Sequence, residues 1–123
     1  MKYLIPFGLA LCTLFAVAGC HKEQPATTND LTGCDLSNVT YAATIKPIVS
    51  SNCAKSGCHD AITAANGYAM DSYDGLERAT QSGRFVGAIE HTSGYTFMPV
   101  DGQLSKCDIA KIKSWISAGA PNN

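Results

Sequence analysis

The sequence predicts an all-α domain in which short helices are joined by long connections. Near the carboxyl end, apolar residues recur at helical spacing and form one stripe. The members of this stripe are Ile109, Ile112, Trp115 and Ile116. Residues 39–49 repeat the same kind of spacing. No stretch alternates apolar and polar residues over a convincing strand length, so helices are the expected elements throughout.

The amino end predicts an export signal. Met1 and Lys2 precede an apolar run that Pro6 interrupts and that is short for a bilayer span. The run ends in "VAGC", which resembles the bacterial lipobox, where cleavage falls before the cysteine. We therefore expect residues 1–19 to be a lipoprotein signal peptide and Cys20 to carry the lipid. The alternatives are a plain signal peptide or an uncleaved anchor.

The rest of the chain divides into a tether and one small domain. Residues 20–38 are mostly polar, with Pro, Thr and Gly, which is typical of a flexible tether. Residues 39–123 form the expected domain. With 9 basic and 10 acidic residues and no basic block, the chain offers nucleic acid no binding surface. The predicted location is a membrane-anchored lipoprotein that faces the periplasm or the cell surface.

Within the domain, local signals set the expected helix ends. The segment "VTYAATIKPIVSSNC" predicts a helix that Pro47 makes irregular. A second helix follows the N-cap Ser72 and ends at Gly83, and "RFVGAIEHTSG" predicts a short third helix. After the extended stretch "YTFMPVDGQ", the last helix begins at the N-cap Ser105 and ends at Gly119.

Four of the six cysteines have separate expected roles. Cys12 lies in the signal peptide and Cys20 is the lipid site. In an oxidising compartment Cys34 and Cys107 are expected to form a disulfide. This disulfide would close the long loop between Cys34 and Cys107, which stabilises a fold by about 4 kcal/mol in the chain-entropy treatment. Two free buried thiols are the alternative.

The remaining cysteines belong to "CAKSGCHD", in which Cys53, Cys58 and His59 follow a Cys-x4-Cys-His spacing. A zinc site would need two further ligands, drawn from His21, Cys34, His91 and Cys107. A local disulfide between the two cysteines would leave the histidine without a role. The chain contains no second compact pair of Cys or His residues, which counts against the zinc site.

Covalent haem attachment accounts for all three. The usual signature is Cys-x-x-Cys-His, in which the thiols bind the haem and the histidine ligates its iron. Here the adjacency of Cys58 and His59 is kept, and the first gap is two residues wider. An ideal helix would place the two cysteines about 140° apart, so "AKSG" is expected to leave the helix. Gly57 is free to take the positive φ that this loop needs.

A second iron ligand is expected from the late part of the chain. Met98 precedes Pro99, which restricts Met98 to extended backbone and offers its thioether as the distal ligand. Met70 and His91 are the alternatives. Tyr73, Tyr95, Phe97 and Trp115 are candidates to pack against the haem, or ordinary core aromatics.

Three stretches, "IKPIVSSNCAKSGCHD", "SYDGL" and "MPVDGQLSKCDIAKIKSWISAGAPNN", together resemble the small bacterial c-type cytochrome domains. More closely, they are similar to the subgroup with an expanded Cys-x4-Cys-His site. The resemblance implies three to five short helices around one covalent haem c. It also implies Cys53 and Cys58 as attachment sites, His59 as proximal ligand and Met98 as distal ligand.

The function implied by this resemblance is electron transfer rather than catalysis. A haem with His and Met ligands has no open coordination position, so the expected partners are redox proteins and, through Cys20, a membrane. Two other functions stay open. One is a haem domain that senses or reacts with a small ligand or peroxide, and the other is a zinc or disulfide module without haem.

Overall fold

A computed structural model describes residues 31–123 of the chain. This part contains four α-helices, which are α1 Lys46–Asn52, α2 Tyr73–Gln81, α3 Phe85–Ile89 and α4 Lys106–Ser117. A π-helical segment, Tyr41–Ile45, leads directly into α1, and a single 3-10 turn covers Ala65–Gly67. Residues 31–123 contain no strand, which confirms the all-α class for them. The predicted signal peptide, Cys20 and the first part of the tether lie outside these residues.

The first helical segment is irregular in the way that its proline requires. Thr40 caps the π-helical segment by accepting a hydrogen bond from the Ala43 N–H. Pro47 lies in the first turn of α1, directly after the π-helical segment, and offers no N–H to the carbonyls of that segment. The irregular turn therefore precedes the proline, and α1 continues without a break to Asn52.

Both serine caps predicted from the sequence are confirmed. Ser72 accepts a hydrogen bond from the Gly75 N–H at the start of α2. Ser105 accepts one from the Asp108 N–H at 3.0 Å and donates its own hydroxyl to the Asp108 carboxylate at 2.8 Å. These bonds satisfy N–H groups that the first helical turn leaves without partners.

The core lies where α4 packs against the π-helical segment, which leads into α1. Its fully buried side chains come from every helix of the described range. They are Ile45, Val49, Leu76, Ile89, Ile112 and Trp115. An aromatic cluster of Tyr41, Tyr73 and Trp115 closes one end of this core, with ring centroids 5.1 to 6.5 Å apart. This packing holds the first and last helical segments together.

The start of the described range is tied to the last helix. The sulfur atoms of Cys34 and Cys107 are 2.04 Å apart, which is the bonding distance of a disulfide. The end of the predicted tether is therefore held against α4. Among residues 31–123, no helix is both long enough and apolar enough to cross a membrane.

Candidate functional site

A cavity of about 720 Å³ opens beside the core, within the usual size range of cofactor sites. The loop after α1, the stretch that ends at Met70, the α2–α3 region and the loop before α4 all contribute to its walls. Five of the predicted site residues line it, namely Cys53, Cys58, His59, Met70 and Met98. His91 does not line this cavity.

The loop between the two cysteines absorbs the widened spacing. Cys53 ends α1, with its N–H bonded to the Val49 carbonyl at 2.8 Å. The chain then leaves the helix, and Gly57 takes a φ of +81°. The His59 N–H returns to the carbonyl of Cys53 at 3.1 Å and closes the loop. Both expectations for "AKSG", a non-helical loop and a positive φ at Gly57, are confirmed.

Asp60 fixes this loop, a role that the sequence analysis missed. Its carboxylate accepts hydrogen bonds from the N–H groups of Gly57, Ile62 and Thr63, each at 2.8 Å. The bond from Thr63, followed by that from Ile62, lowers the pKa of the Asp60 carboxyl. An aspartate whose side chain accepts from N–H groups two and three residues ahead is a known turn signal, and Asp60 was available in the sequence as such a candidate.

The ring of His59 is buried and oriented by one hydrogen bond. Its Nδ1 lies 2.9 Å from the carbonyl oxygen of Tyr68. Because a carbonyl oxygen only accepts, Nδ1 carries a proton, and in the neutral ring Nε2 is then the nitrogen with the lone pair. A histidine whose second nitrogen donates to a backbone carbonyl is the usual arrangement of a metal ligand.

Cys53 and Cys58 are both free thiols. Cys53 is buried, and this burial raises the pKa of its thiol to about 11. Cys53 is therefore a neutral thiol over the ordinary pH range. Cys58 is partly exposed at the cavity wall. A local disulfide between the two cysteines does not form.

The zinc alternative lacks a ligand set in the part of the chain that the structure describes. No group of three or more His, Cys, Asp or Glu side chains in residues 31–123 is arranged to hold a metal ion. Cys34 and Cys107, which were candidates to complete such a site, are bonded to each other. His21, the other candidate, lies outside the described residues.

The three candidates for the distal ligand differ in their surroundings. The Met98 N–H bonds to the Ala88 carbonyl at 3.0 Å, which ties the loop of Met98 to α3. Met70 is buried, and its N–H bonds to the carbonyl of His59 at 2.7 Å. The ring of His91 instead stacks on Phe97 at 4.8 Å between centroids. A thioether from either methionine is thus available at the cavity.

The aromatic candidates separate into two groups. Tyr95 lines the cavity, whereas Phe97 lies against His91 outside the lining. Tyr73 and Trp115 belong to the aromatic cluster of the core. Tyr68 and Phe85 also line the cavity, although their sequence context did not single them out.

An ion pair joins the two loops that carry the predicted ligands. The Lys55 ammonium lies 3.1 Å from the Asp101 carboxylate. Lys55 belongs to the loop between the two thiols, and Asp101 follows Met98 by three residues. Both side chains line the cavity. The loop between the two cysteines therefore contains a lysine whose ammonium group contacts the loop that carries Met98.

Comparisons with protein-family models, with curated proteins and with solved structures find no match for this chain. The functional argument therefore rests on the cavity, its side chains and the sequence pattern.

Proposed function

We propose that residues 39–123 form a cytochrome c-like domain that holds one haem c and transfers single electrons. The observation that carries the proposal is the convergence of two free thiols, one imidazole and a methionine thioether on one cavity. The cavity size and its apolar side chains fit a large, planar, mostly apolar group. When bound, the haem iron supplies a centre that cycles between its ferric and ferrous states.

The thiols of Cys53 and Cys58 would hold the group covalently. Each thiol would add across one vinyl group of the haem, with a carbon–sulfur bond formed and the thiol hydrogen placed on the neighbouring vinyl carbon. Such an addition would need no oxidant and would leave no by-product. The loop between the cysteines, closed by the bond from His59 to the Cys53 carbonyl, brings the two thiols to the same cavity despite the wider spacing.

His59 and Met98 would be the axial ligands. The bond from Nδ1 of His59 to the Tyr68 carbonyl leaves Nε2 as the coordinating nitrogen and fixes the ring. Coordination by the Met98 thioether favours the ferrous state and raises the reduction potential. With both residues as iron ligands, the iron would have no open position for a substrate, which favours an electron carrier over an enzyme.

The first experiment is a haem stain on a denaturing gel. The full chain, produced in a bacterial host with haem-attachment machinery, should give a stained band because thioether bonds survive denaturation. Replacement of both cysteines by alanine should remove the stain while the protein still accumulates. An unstained band from the unchanged chain would overturn the proposal.

A second experiment identifies the distal ligand. Met98→Ala should abolish the near-infrared band of methionine-to-iron coordination, and Met70→Ala is the matched control that should keep it. The reverse pattern would assign the ligand to Met70, which lines the same cavity.

One observation favours a second candidate function. The loop that carries Met98 exposes Tyr95, Phe97 and Val100, so Met98 lies on a weakly packed segment. If Met98 leaves the iron easily, the domain would sense or react with a small ligand or peroxide. Carbon monoxide added to the reduced protein separates the two functions. A carrier should bind it slowly and incompletely, whereas rapid and complete binding would favour the second candidate.

The partners that follow from the proposal are redox proteins and a membrane. The sequence at Cys20 supports a lipid anchor on the periplasmic or cell-surface side. Replacement of Cys20 by alanine should move the haem-stained protein from the membrane fraction to the soluble fraction. Retention in the membrane fraction would contradict the lipid anchor.

A further inference from the structure

Gly87 lies in the middle of α3, where glycine lowers helix stability relative to alanine. The structure supplies a reason for this glycine. A Cβ atom at this position would lie 2.7 Å from three atoms of the Tyr95 ring. The ring therefore packs directly on the backbone of α3, and any side chain at position 87 would displace it.

The ring that Gly87 admits also carries a cation. The guanidinium carbon of Arg84 lies 5.5 Å from the centroid of Tyr95, which is cation–π distance. Arg84 and Tyr95 both line the cavity. The Tyr95 ring thus lies between the backbone of Gly87 and the guanidinium of Arg84. It holds this positive charge at the cavity wall.

This charge differs from the others around the cavity. The lysine, arginine and acidic side chains of the lining are Lys55, Asp101 and Arg84. Lys55 and Asp101 form an ion pair with each other. Over residues 31–123, the Arg84 guanidinium has neither an ion pair nor a side-chain hydrogen bond. The cavity therefore presents one uncompensated, positioned cation.

We propose that Arg84 is the binding site for the carboxylate end of the group that occupies this cavity. This inference rests on the proposed function, because haem carries propionate carboxylates in addition to the vinyl groups that react with thiols. A guanidinium binds a carboxylate through two parallel hydrogen bonds, which a lysine cannot reproduce. Tyr95 and Gly87 are positioning residues that hold the guanidinium at the cavity.

The experiment measures the reduction potential of the haem-loaded full chain as a function of pH. Arg84→Gln should lower the potential near neutral pH, because a positive charge near the iron favours the ferrous state. It should also move the pH-dependent step of the potential upwards, because arginine lowers the pKa of a bound carboxyl group. Arg84→Lys should give intermediate values. Gly87→Ala should shift both quantities in the direction of Arg84→Gln by displacing Tyr95.

The matched control is Arg78→Gln. Arg78 is the chain's other arginine, and it lies exposed on α2 outside the cavity lining. If Arg84→Gln changes the potential and its pH step no more than Arg78→Gln, the role of Arg84 is overturned and the proposed function stands. If Arg84→Gln accumulates without haem, partial recovery of haem in Arg84→Lys, which keeps the charge but not the two parallel hydrogen bonds, supports the role of Arg84. An equal loss of haem in Arg78→Gln overturns it. An unstained unchanged chain overturns both proposals.

Discussion

The aromatic cluster and the loop that carries Met98 lie in the same small domain but are held in different ways. The cluster of Tyr41, Tyr73 and Trp115 is packed from three helical segments, and its buried polar atoms are bonded. The Trp115 Nε1–H donates to the Pro121 carbonyl at 2.9 Å, and the Tyr73 hydroxyl donates to the Ala120 carbonyl at 2.8 Å. The residues that follow α4 thus complete this end of the core.

We call residues 92–103, between α3 and α4, the Met98 loop. Val100 is 80% exposed and Phe97 is 46% exposed, although both side chains are apolar. The loop is tied to the rest of the domain by the bond from the Met98 N–H to Ala88 and by the ion pair from Asp101 to Lys55. The Tyr95 ring also packs on Gly87, and the Phe97 ring stacks on His91. Exposed apolar side chains beside a cavity mark a surface that binds something.

The aromatic cluster stabilises the fold, whereas the residues of the Met98 loop are available for binding. The aromatic cluster is held by contacts within the chain, so its residues should determine the stability of the haem-free protein. The Met98 loop contributes little to that stability and forms part of the cavity. Substitutions in the two regions should therefore differ most in the haem-free protein.

The largest expected effect follows from truncating Trp115. Trp115→Ala removes a fully buried side chain that contacts two tyrosines. The free energy of unfolding should fall by about 3–5 kcal/mol, as is usual for such a deletion. Phe97→Ala is the matched control in the Met98 loop, and it should cost less than about 1 kcal/mol because half of that ring is already exposed. Urea unfolding of haem-free protein measures both values.

Similar losses for the two variants would contradict the comparison, since the Met98 loop would then be part of the stable core. In haem-loaded protein the gap should persist, because Phe97 lies outside the cavity lining and would gain no contact with a group bound there.

The ends of the helices were predictable because their signals are local. Ser72 and Ser105 bond to N–H groups three residues ahead, so the sequence pattern contains both partners. Gly57 was predictable in the same way, because the spacing of Cys53 and Cys58 excludes a continuous helix. The positions of the loops relative to one another depend on contacts that no short pattern contains.

Local sequence signals likewise predict only part of the candidate site. That Cys53, Cys58 and His59 form one loop follows from their spacing, and their adjacency to Met98 was an expectation from the order of motifs. The ion pair of Lys55 with Asp101 joins residues 46 positions apart, and neither residue has a distinctive local context. The stacking of His91 on Phe97 likewise depends on the path of the Met98 loop, which the sequence leaves open.

The second-largest expected effect is on the reactivity of Cys53, the buried thiol of the cavity. Because burial raises the pKa of Cys53 to about 11, only about one molecule in a thousand carries its thiolate near pH 8. Alkylation of Cys53 by iodoacetamide in haem-free protein should therefore be slow near neutral pH. Its rate should rise about tenfold for each pH unit until the pH approaches the pKa. Peptide mass spectrometry of the Cys58→Ala variant isolates this reaction.

The same raised pKa has a consequence for stability. A thiol whose pKa is higher in the folded than in the unfolded chain stabilises the fold at pH values below the unfolded pKa, for which the reference value is 9.0. This contribution is lost as the pH rises from there to about 11. Replacement of Cys53 by alanine should flatten this part of the stability profile. Alkylation of Cys53 near pH 8 at the rate of a free peptide thiol would contradict its burial.

The smallest expected effect is that of the ion pair between the two loops. Both side chains are exposed, so water and salt screen the attraction and its contribution to stability is small. A double-mutant cycle with Lys55→Ala, Asp101→Ala and the double variant should give a weak favourable coupling at low salt that vanishes at high salt. The pKa of the Asp101 carboxyl is lowered, chiefly by its hydrogen bond from Lys55. The coupling should therefore be present above the usual pKa of a carboxyl group and should disappear as the pH falls through the lowered value.

A matched cycle on Lys113 and Glu90, an ion pair between α4 and the end of α3 outside the cavity, provides the control. Breaking either ion pair should lower the stability by a similar small amount. In haem-loaded protein, only the loss of Lys55 or Asp101 should weaken the methionine-to-iron band. The reason is that this pair, unlike Lys113 and Glu90, joins the Met98 loop to the loop between the two thiols. An equal effect of both pairs on the band would show that the Met98 loop is positioned without this contact.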